Sequence, residues 1–219
     1  MQPREHYTQQ LEALHAELRA LGQLVVAAIG WSLDALNRQD VTVARRVIDD
    51  DQAIDRAQYT IEEHAIAVIA TQQPVAGDLR QLIATIETAA ELERIADYAK
   101  SIAKVVIRGA GRELLEPPVG IAQMAERALA MLNQALEAFI QQDGESARQL
   151  GDADDQVDAL DQQVHAELID RLQRESASVD QLADLLTVAH NLERIADRTT
   201  NIGERVVFMV SGTQIELNT

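Results

Sequence analysis

Leu92-Glu-Arg-Ile-Ala-Asp97 recurs letter for letter as Leu192-Glu-Arg-Ile-Ala-Asp197, 100 positions further along the chain. Working outward from these hexapeptides, the two halves go on matching. Asp40, Ala44, Asp49, Asp51 and Asp55 meet Asp143, Ala147, Asp152, Asp154 and Asp158 at an offset of 103. The offset changes by three because the turn near Gln72–Gly77 is longer than the one near Glu175–Ala177, and surface turns tolerate insertions. A period this long lies far beyond the roughly 20–50 residues of solenoid repeats. It indicates a duplicated domain, with residues 1–112 as the first copy and 113–219 as the second.

Apolar residues around the repeats recur with helical spacing. Leu11, Leu14, Leu18, Leu21, Val25, Ala28, Leu33 and Leu36 mark a first helix. Asn37-Arg-Gln-Asp40 breaks it, and Asp40 can cap the next helix, which runs through Val43, Val47, Ile54, Ile61 and Val68. Gln73-Pro-Val-Ala-Gly77 is a turn, and a third helix from Leu79 to Val106 stops near Gly109 and Gly111. After Glu116-Pro-Pro118 the pattern repeats as helices over about 119–142, 145–174 and 179–210. The breaks fall at Gln141–Gly144 and Glu175–Ser178, and Ser178-Val-Asp-Gln181 has capping-box spacing. Short connections make neighbouring helices antiparallel. The expected fold is all-α, two tandem three-helix bundles.

Composition agrees and narrows function. Gly and Pro are sparse, with 10 and 4 residues, and there is one Trp, with three Tyr and two Phe, which does not suit an all-β chain. With 19 basic and 36 acidic residues the net charge is −17, which disfavours nucleic acid and a polybasic membrane anchor. The absence of cysteine excludes disulfides, thiolate metal sites and a Cys nucleophile. The longest apolar run, around Leu24–Trp31, is short of a bilayer span, and the N-terminus carries no signal core. A cytoplasmic protein is expected, held at the inner face of a membrane only through partners.

The chemistry lies in carboxylates four residues apart. Asp51 pairs with Asp55 and Glu93 with Asp97; Asp154 with Asp158 and Glu193 with Asp197 are their repeats. Residues i and i+4 share a helix face. Antiparallel second and third helices bring two such pairs opposite one another in each half. Four like charges in a groove need protonation or a cation, and an all-oxygen set favours hard ions such as Mg²⁺, Mn²⁺, Ca²⁺ or Fe³⁺. The plain alternative is a pair of solvated acidic faces with Arg94 and Arg194 as partners. Recurrence of acid at the same four positions in both halves speaks for the cation.

Glu62 and His165, which are equivalent positions, are candidates for additional ligands, although a helix-surface role suits them better. Ser101 and Asn201 continue the third-helix ladder by one turn and can hydrogen-bond a ligand or its water. Glu12-Ala-Leu-His15 is the only ExxH, whereas di-iron carboxylate oxidases need two, so it reads as a helix surface. No Walker loop, GxGxxG, GxSxG or nucleophile with its base is present.

On these motifs the sequence resembles the PhoU family of bacterial phosphate-uptake regulators. The carrying residues are Glu91-Leu-Glu-Arg-Ile-Ala-Asp97, Asn191-Leu-Glu-Arg-Ile-Ala-Asp197-Arg-Thr-Thr-Asn-Ile202, Asp51-Gln-Ala-Ile-Asp55, Asp154-Asp-Gln-Val-Asp158 and Gln73-Pro-Val-Ala-Gly-Asp-Leu-Arg80. The resemblance implies pseudo-twofold three-helix bundles and multinuclear metal clusters on E/DxxxD motifs, with iron first and Mg, Mn, Zn or Ca as alternatives. One cluster would take Asp51, Asp55, Glu93 and Asp97, the other Asp154, Asp158, Glu193 and Asp197. It also implies a non-enzymatic, homodimeric negative regulator. That regulator would link the ATPase of a Pst-type phosphate importer (PstB-type) to a PhoR-type sensor histidine kinase. A carboxylate-bridged metal oxidase or hydrolase, and a regulator of a different phosphate transporter, are the alternatives.

Overall fold

The computed structural model describes residues 3–112, 115–174 and 179–218. Six helices follow in order: α1 (Pro3–Arg38), α2 (Val41–Gln72), α3 (Gly77–Arg108), α4 (Val119–Gln141), α5 (Gly144–Arg174) and α6 (Val179–Ser211). No strand occurs among the described residues. Helices α1, α2 and α3 pack on one another, as do α4, α5 and α6, giving two tandem three-helix bundles. The bundles meet mainly through α3 against α6, with a lesser contact of α1 with α4. Residues 113 and 114 at the expected domain boundary, the break at 175–178 and the Ser178 end of the capping box lie outside the described residues.

The turn between the first and second helix of each bundle is built the same way twice. Gln39 at φ 56° and Gln142 at φ 55° take left-handed backbone. The next N–H then reaches back over the helix end: Asp40 N–H donates to Ala35 O at 3.0 Å, and Asp143 N–H to Ala138 O at 2.9 Å. This is the Schellman closure of a helix C-terminus. The same two aspartates start the following helices. Asp40 Oδ1 accepts from Thr42 and Val43 N–H, and Asp143 Oδ1 from Glu145 and Ser146 N–H. The Asp40 cap expected from sequence is present, together with its repeat.

Helix α1 holds an 18-residue window of mean hydropathy 1.2, long and apolar enough by composition to cross a bilayer. This extends the Leu24–Trp31 run noted in the sequence. The apolar side is occupied within the fold, where Leu14, Leu18, Leu21, Val25, Ile29 and Leu36 are buried. A core helix passes the same composition test as a membrane span.

The α3–α6 seam is antiparallel. Down α3, Arg80, Glu87, Tyr98, Ser101 and Arg108 meet, in turn, Met209, Arg205, Arg194, Asn191 and Asp184 up α6. Asn191 donates to Ser101 Oγ at 3.1 Å, and Asn201 donates to Glu91 Oε2 at 3.4 Å. Glu91 and Asn191 are repeat equivalents, and so are Ser101 and Asn201. Exchanging the halves therefore exchanges these two contacts, as a pseudo-twofold axis through the seam requires.

The caps give a direct test. Asp143→Ala is expected to cost about 1 kcal/mol in urea unfolding, the usual loss for an N-cap aspartate. Gln142→Gly is expected to shift stability the other way by up to about 1 kcal/mol, because it relieves left-handed backbone on a residue with a Cβ.

Candidate metal centre

The LERIAD segment serves several faces of its helix at once. Leu92, Ile95 and Ala96 are buried in the first bundle, as are Leu192, Ile195 and Ala196 in the second. Glu93 and Asp97 face α2, and Glu193 and Asp197 face α5, where the other carboxylate pairs lie. In the first half Glu93 feels the charges of Asp97, Asp55 and Asp51. In the second, Asp154 feels Asp158, Asp197 and Glu193. All eight carboxylates picked from sequence thus fall into two groups of four, one per bundle.

The deepest members are equivalent. Asp51 is 7% exposed and Asp154 3% exposed. Burial and neighbouring negative charge act together on these groups. Desolvation, followed mainly by the acidic neighbours, raises Asp55 and Asp158. Glu93 and Glu193 are raised first by burial. Asp154 is pushed up to about 7, by desolvation first and then by Asp158, Asp197, Glu193 and Asp155. The like-charge crowding expected from spacing is thus strongest at Asp154, in the second half.

Among the described residues no three His, Cys, Asp or Glu side chains converge into a ready coordination shell. Carboxylates without a counter-charge hold apart, so a cation would have to draw them in. The second group fits one nonetheless. Asp154 Oδ1 is a buried atom without a hydrogen-bond partner, and the buried Glu193 Oε2 has only His190 Nδ1 nearby, at 3.4 Å; a hard cation is the natural partner for all-oxygen donors. At the first group, Asp55, Gln58, Tyr59, Ala90, Glu93 and Arg94 line an open cleft of about 230 Å³.

The arginines beside the motifs behave differently. Arg194 pairs with Asp197 at 2.6 Å, whereas Arg94 pairs with Glu91 at 3.1 Å. Asp197 also accepts from Asn218 at 2.7 Å, from a C-terminal segment folded back over the second bundle. Leu217 of that segment lies on Gly151 and Gly203, where a Cβ would come within 2.8 Å of Leu217 O and 3.0 Å of Leu217 Cδ1 respectively. Lys100 ion-pairs with Asp51 and lies 3.6 Å from Asp97. Sequence reading missed Lys100, although a lysine where the repeat has Thr200 was there to be seen.

The secondary candidates lie elsewhere. Glu62 accepts from Gln58 at 3.2 Å, and His165 sits 3.0 Å from Asp161 O on its own helix. Ser101 and Asn201 are engaged across the seam, as described. His15 departs from its expected place on a helix surface. It is half-buried, stands edge-on to Phe139 at 6.0 Å between ring centroids and lies 2.9 Å from Gln81 Nε2. Burial lowers its pKa. The seam between bundles, which no single-helix pattern displays, converts this ExxH histidine into a packing residue.

The comparisons with known proteins agree with the geometry. The PhoU domain family matches residues 18–106 and 121–206. A relative in Clostridium acetobutylicum, the phosphate-specific transport system accessory protein PhoU homolog, is 35% identical over 216 residues, covering 98% of this chain and 99% of its own. One in Rhizobium meliloti with the same description is 34% identical, covering 95% and 88%. The crystal structure of the phosphate transport system regulatory protein PhoU from Streptococcus pneumoniae superposes with a TM-score of 0.89 at 30% identity, covering 96% and 99%. That of PhoU from Pseudomonas aeruginosa gives 0.89 at 28%, covering 94% and 100%.

Asp154 sets the pH dependence of the metal-free protein. Its folded pKa is raised from 3.8 to about 7. Between those values the folded state holds a proton that the unfolded state has lost. Its contribution is therefore full below the unfolded pKa and is lost as pH rises through the folded one. Asp154→Asn cannot ionise. In chelator near pH ~8 it is expected to melt above the parent by on the order of 1 kcal/mol, about 2–4 °C. Near pH ~5 the gap should narrow. Thermal melts at the two pH values check this, and an equal gap at both would show that Asp154 is not the group responsible.

Proposed function

The chain belongs to the PhoU family, and from that premise we propose that it is a regulatory accessory protein of phosphate transport that represses the phosphate-starvation response when phosphate is plentiful. The carrying observation is the match along nearly the whole chain, in both halves, to relatives described as phosphate-specific transport accessory proteins. In this reading it works by contact. It joins the ATPase of a phosphate ABC importer to the cytoplasmic part of a sensor histidine kinase, as a cytoplasmic homodimer brought to the membrane by those partners.

A non-catalytic role suits the side chains. The histidines with described partners face Gln81, Glu17, Asp161 and Glu193, and none is paired with a hydroxyl nucleophile. A net charge of −17 disfavours repression by direct contact with DNA.

Cation binding belongs to the same proposal. Asp51, Asp55, Glu93 and Asp97 would serve one site, and Asp154, Asp158, Glu193 and Asp197 the other. A bound cation supplies positive charge. The chain's own part is to present carboxylates from two facing helices and to carry the change in their separation into the packing of α3 on α6. Iron, manganese or magnesium all suit oxygen donors.

Deleting the gene in its own host is expected to leave alkaline phosphatase high in phosphate-rich medium. The protein should co-purify with a transporter ATPase or with the kinase's cytoplasmic part. If phosphatase stays phosphate-responsive and neither partner is captured, the importer-linked reading fails. Altered phosphate uptake in the same strain would then assign the protein to another phosphate transporter.

A further inference from the structure

The two acidic groups differ in which carboxylate holds a counter-charge: Lys100 pairs with the buried Asp51, whereas in the second group Arg194 pairs with Asp197. In the first, Lys100 Nζ donates to Asp51 Oδ2 and lies 3.6 Å from Asp97 Oδ1. Its charge also reaches Asp55. The Lys100 side chain is only 25% exposed, so a charged head sits among the carboxylates and not in bulk water. The repeat places Thr200 at the matching position. Thr200 is fully buried, and its hydroxyl donates to Asp197 O on its own helix at 2.7 Å. It brings neither charge nor a donor to the second group.

The other basic and amide groups there do not replace the ammonium. Arg194 is held between Asp197 Oδ2, at 2.6 Å, and the Tyr98 hydroxyl, at 3.5 Å. Asn218 occupies Asp197 Oδ1. His190 lies 3.4 Å from Glu193 on the exposed side. None of them reaches Asp154. The charges acting on Asp154 are all negative, from Asp158, Asp197, Glu193 and Asp155. Its Oδ1 is buried and without a partner in a side chain 97% removed from solvent, where Asp51 has Lys100.

We propose that Lys100 is the built-in cation of the first group, and that the second group, with Asp154 as its deepest donor, is the tight metal site of the molecule. An ammonium and a metal ion compete for the same oxygens. A metal entering the first group must break a charge-assisted hydrogen bond and expel a like charge. A metal entering the second shares Asp197 with Arg194 and Asn218, but it relieves the repulsion at Asp154 and supplies the partner that Asp154 lacks. One duplicated scaffold thereby offers two sites of unequal affinity. This inference rests on the reading of the acidic groups as cation sites.

The test is a titration of the full-length, metal-stripped protein with Mn²⁺, with free ion counted by electron paramagnetic resonance and folding checked by circular dichroism. The parent should show one tight phase. Asp154→Asn with Asp158→Asn should abolish it, and Asp51→Asn with Asp55→Asn should leave it intact. Lys100→Thr should raise the affinity of the first group at least about tenfold and add a second tight phase. Thr200→Lys gives the reciprocal result, a loss of about tenfold or more at the second group with the first unchanged. If the parent fills both groups with equal affinity, or if neither exchange moves the affinity of its own half, the inference is overturned and the metal reading stands. If no variant binds Mn²⁺ stoichiometrically, Lys100→Thr included, the metal reading itself falls.

Discussion

The close antiparallel contact of α3 with α6 is the constraint on which the rest depends. Each of the two helices is enclosed on one side by its twin and on another by its own bundle. A helix placed this way has little free surface. Leu92, Ile95 and Ala96 are buried, Glu91 reaches the other half through Arg198 and Asn201, and Glu93 and Asp97 are left for α2. Most of the hexapeptide is committed to a neighbour, while Arg94 and Asp97 stay half exposed. Its unchanged recurrence as residues 192–197 follows, because α6 meets the same set of demands under the pseudo-twofold.

The seam also sets the electrostatics. Since α3 and α6 spend one side on each other, the acidic pairs are turned toward α2 and α5, into grooves only partly open to water. Carboxylates there lose solvation and feel one another, which raises Asp55, Asp158, Glu93 and Glu193 alike. The stability lost to this crowding is tolerable because long helices with extensive apolar burial surround it. The crowding also makes each groove responsive to any positive charge that arrives, whether a lysine from the same chain or an ion from solution.

Much of this was legible in the sequence because it is written within single helices. The six helices, the Asp40 cap, the duplication and the membership of each acidic quartet follow from spacing and from matching one half against the other. Spacing along one helix says which residues share a face, but not which neighbour that face will meet. Ser101 and Asn201 sit on the expected ladder, yet they reach across the seam to Asn191 and Glu91. His15 looked like surface until Phe139 and Gln81, from two other helices, closed around it. Lys100 is the instructive omission. Agreement between halves drew attention to the conserved letters, while the chemistry that separates the two grooves lies in a position where they disagree.

The folded-back C-terminal segment has a practical consequence. Leu217 is seated over Gly151 and Gly203, and Asn218 holds Asp197, so residue 218 stands beside the second acidic groove. A polyhistidine purification handle attached there would deliver imidazoles to the rim of that groove, where they would compete for or recruit transition metals. Ion counts from such a preparation would describe the handle as much as the protein, and a handle at the other end of the chain is the sounder choice.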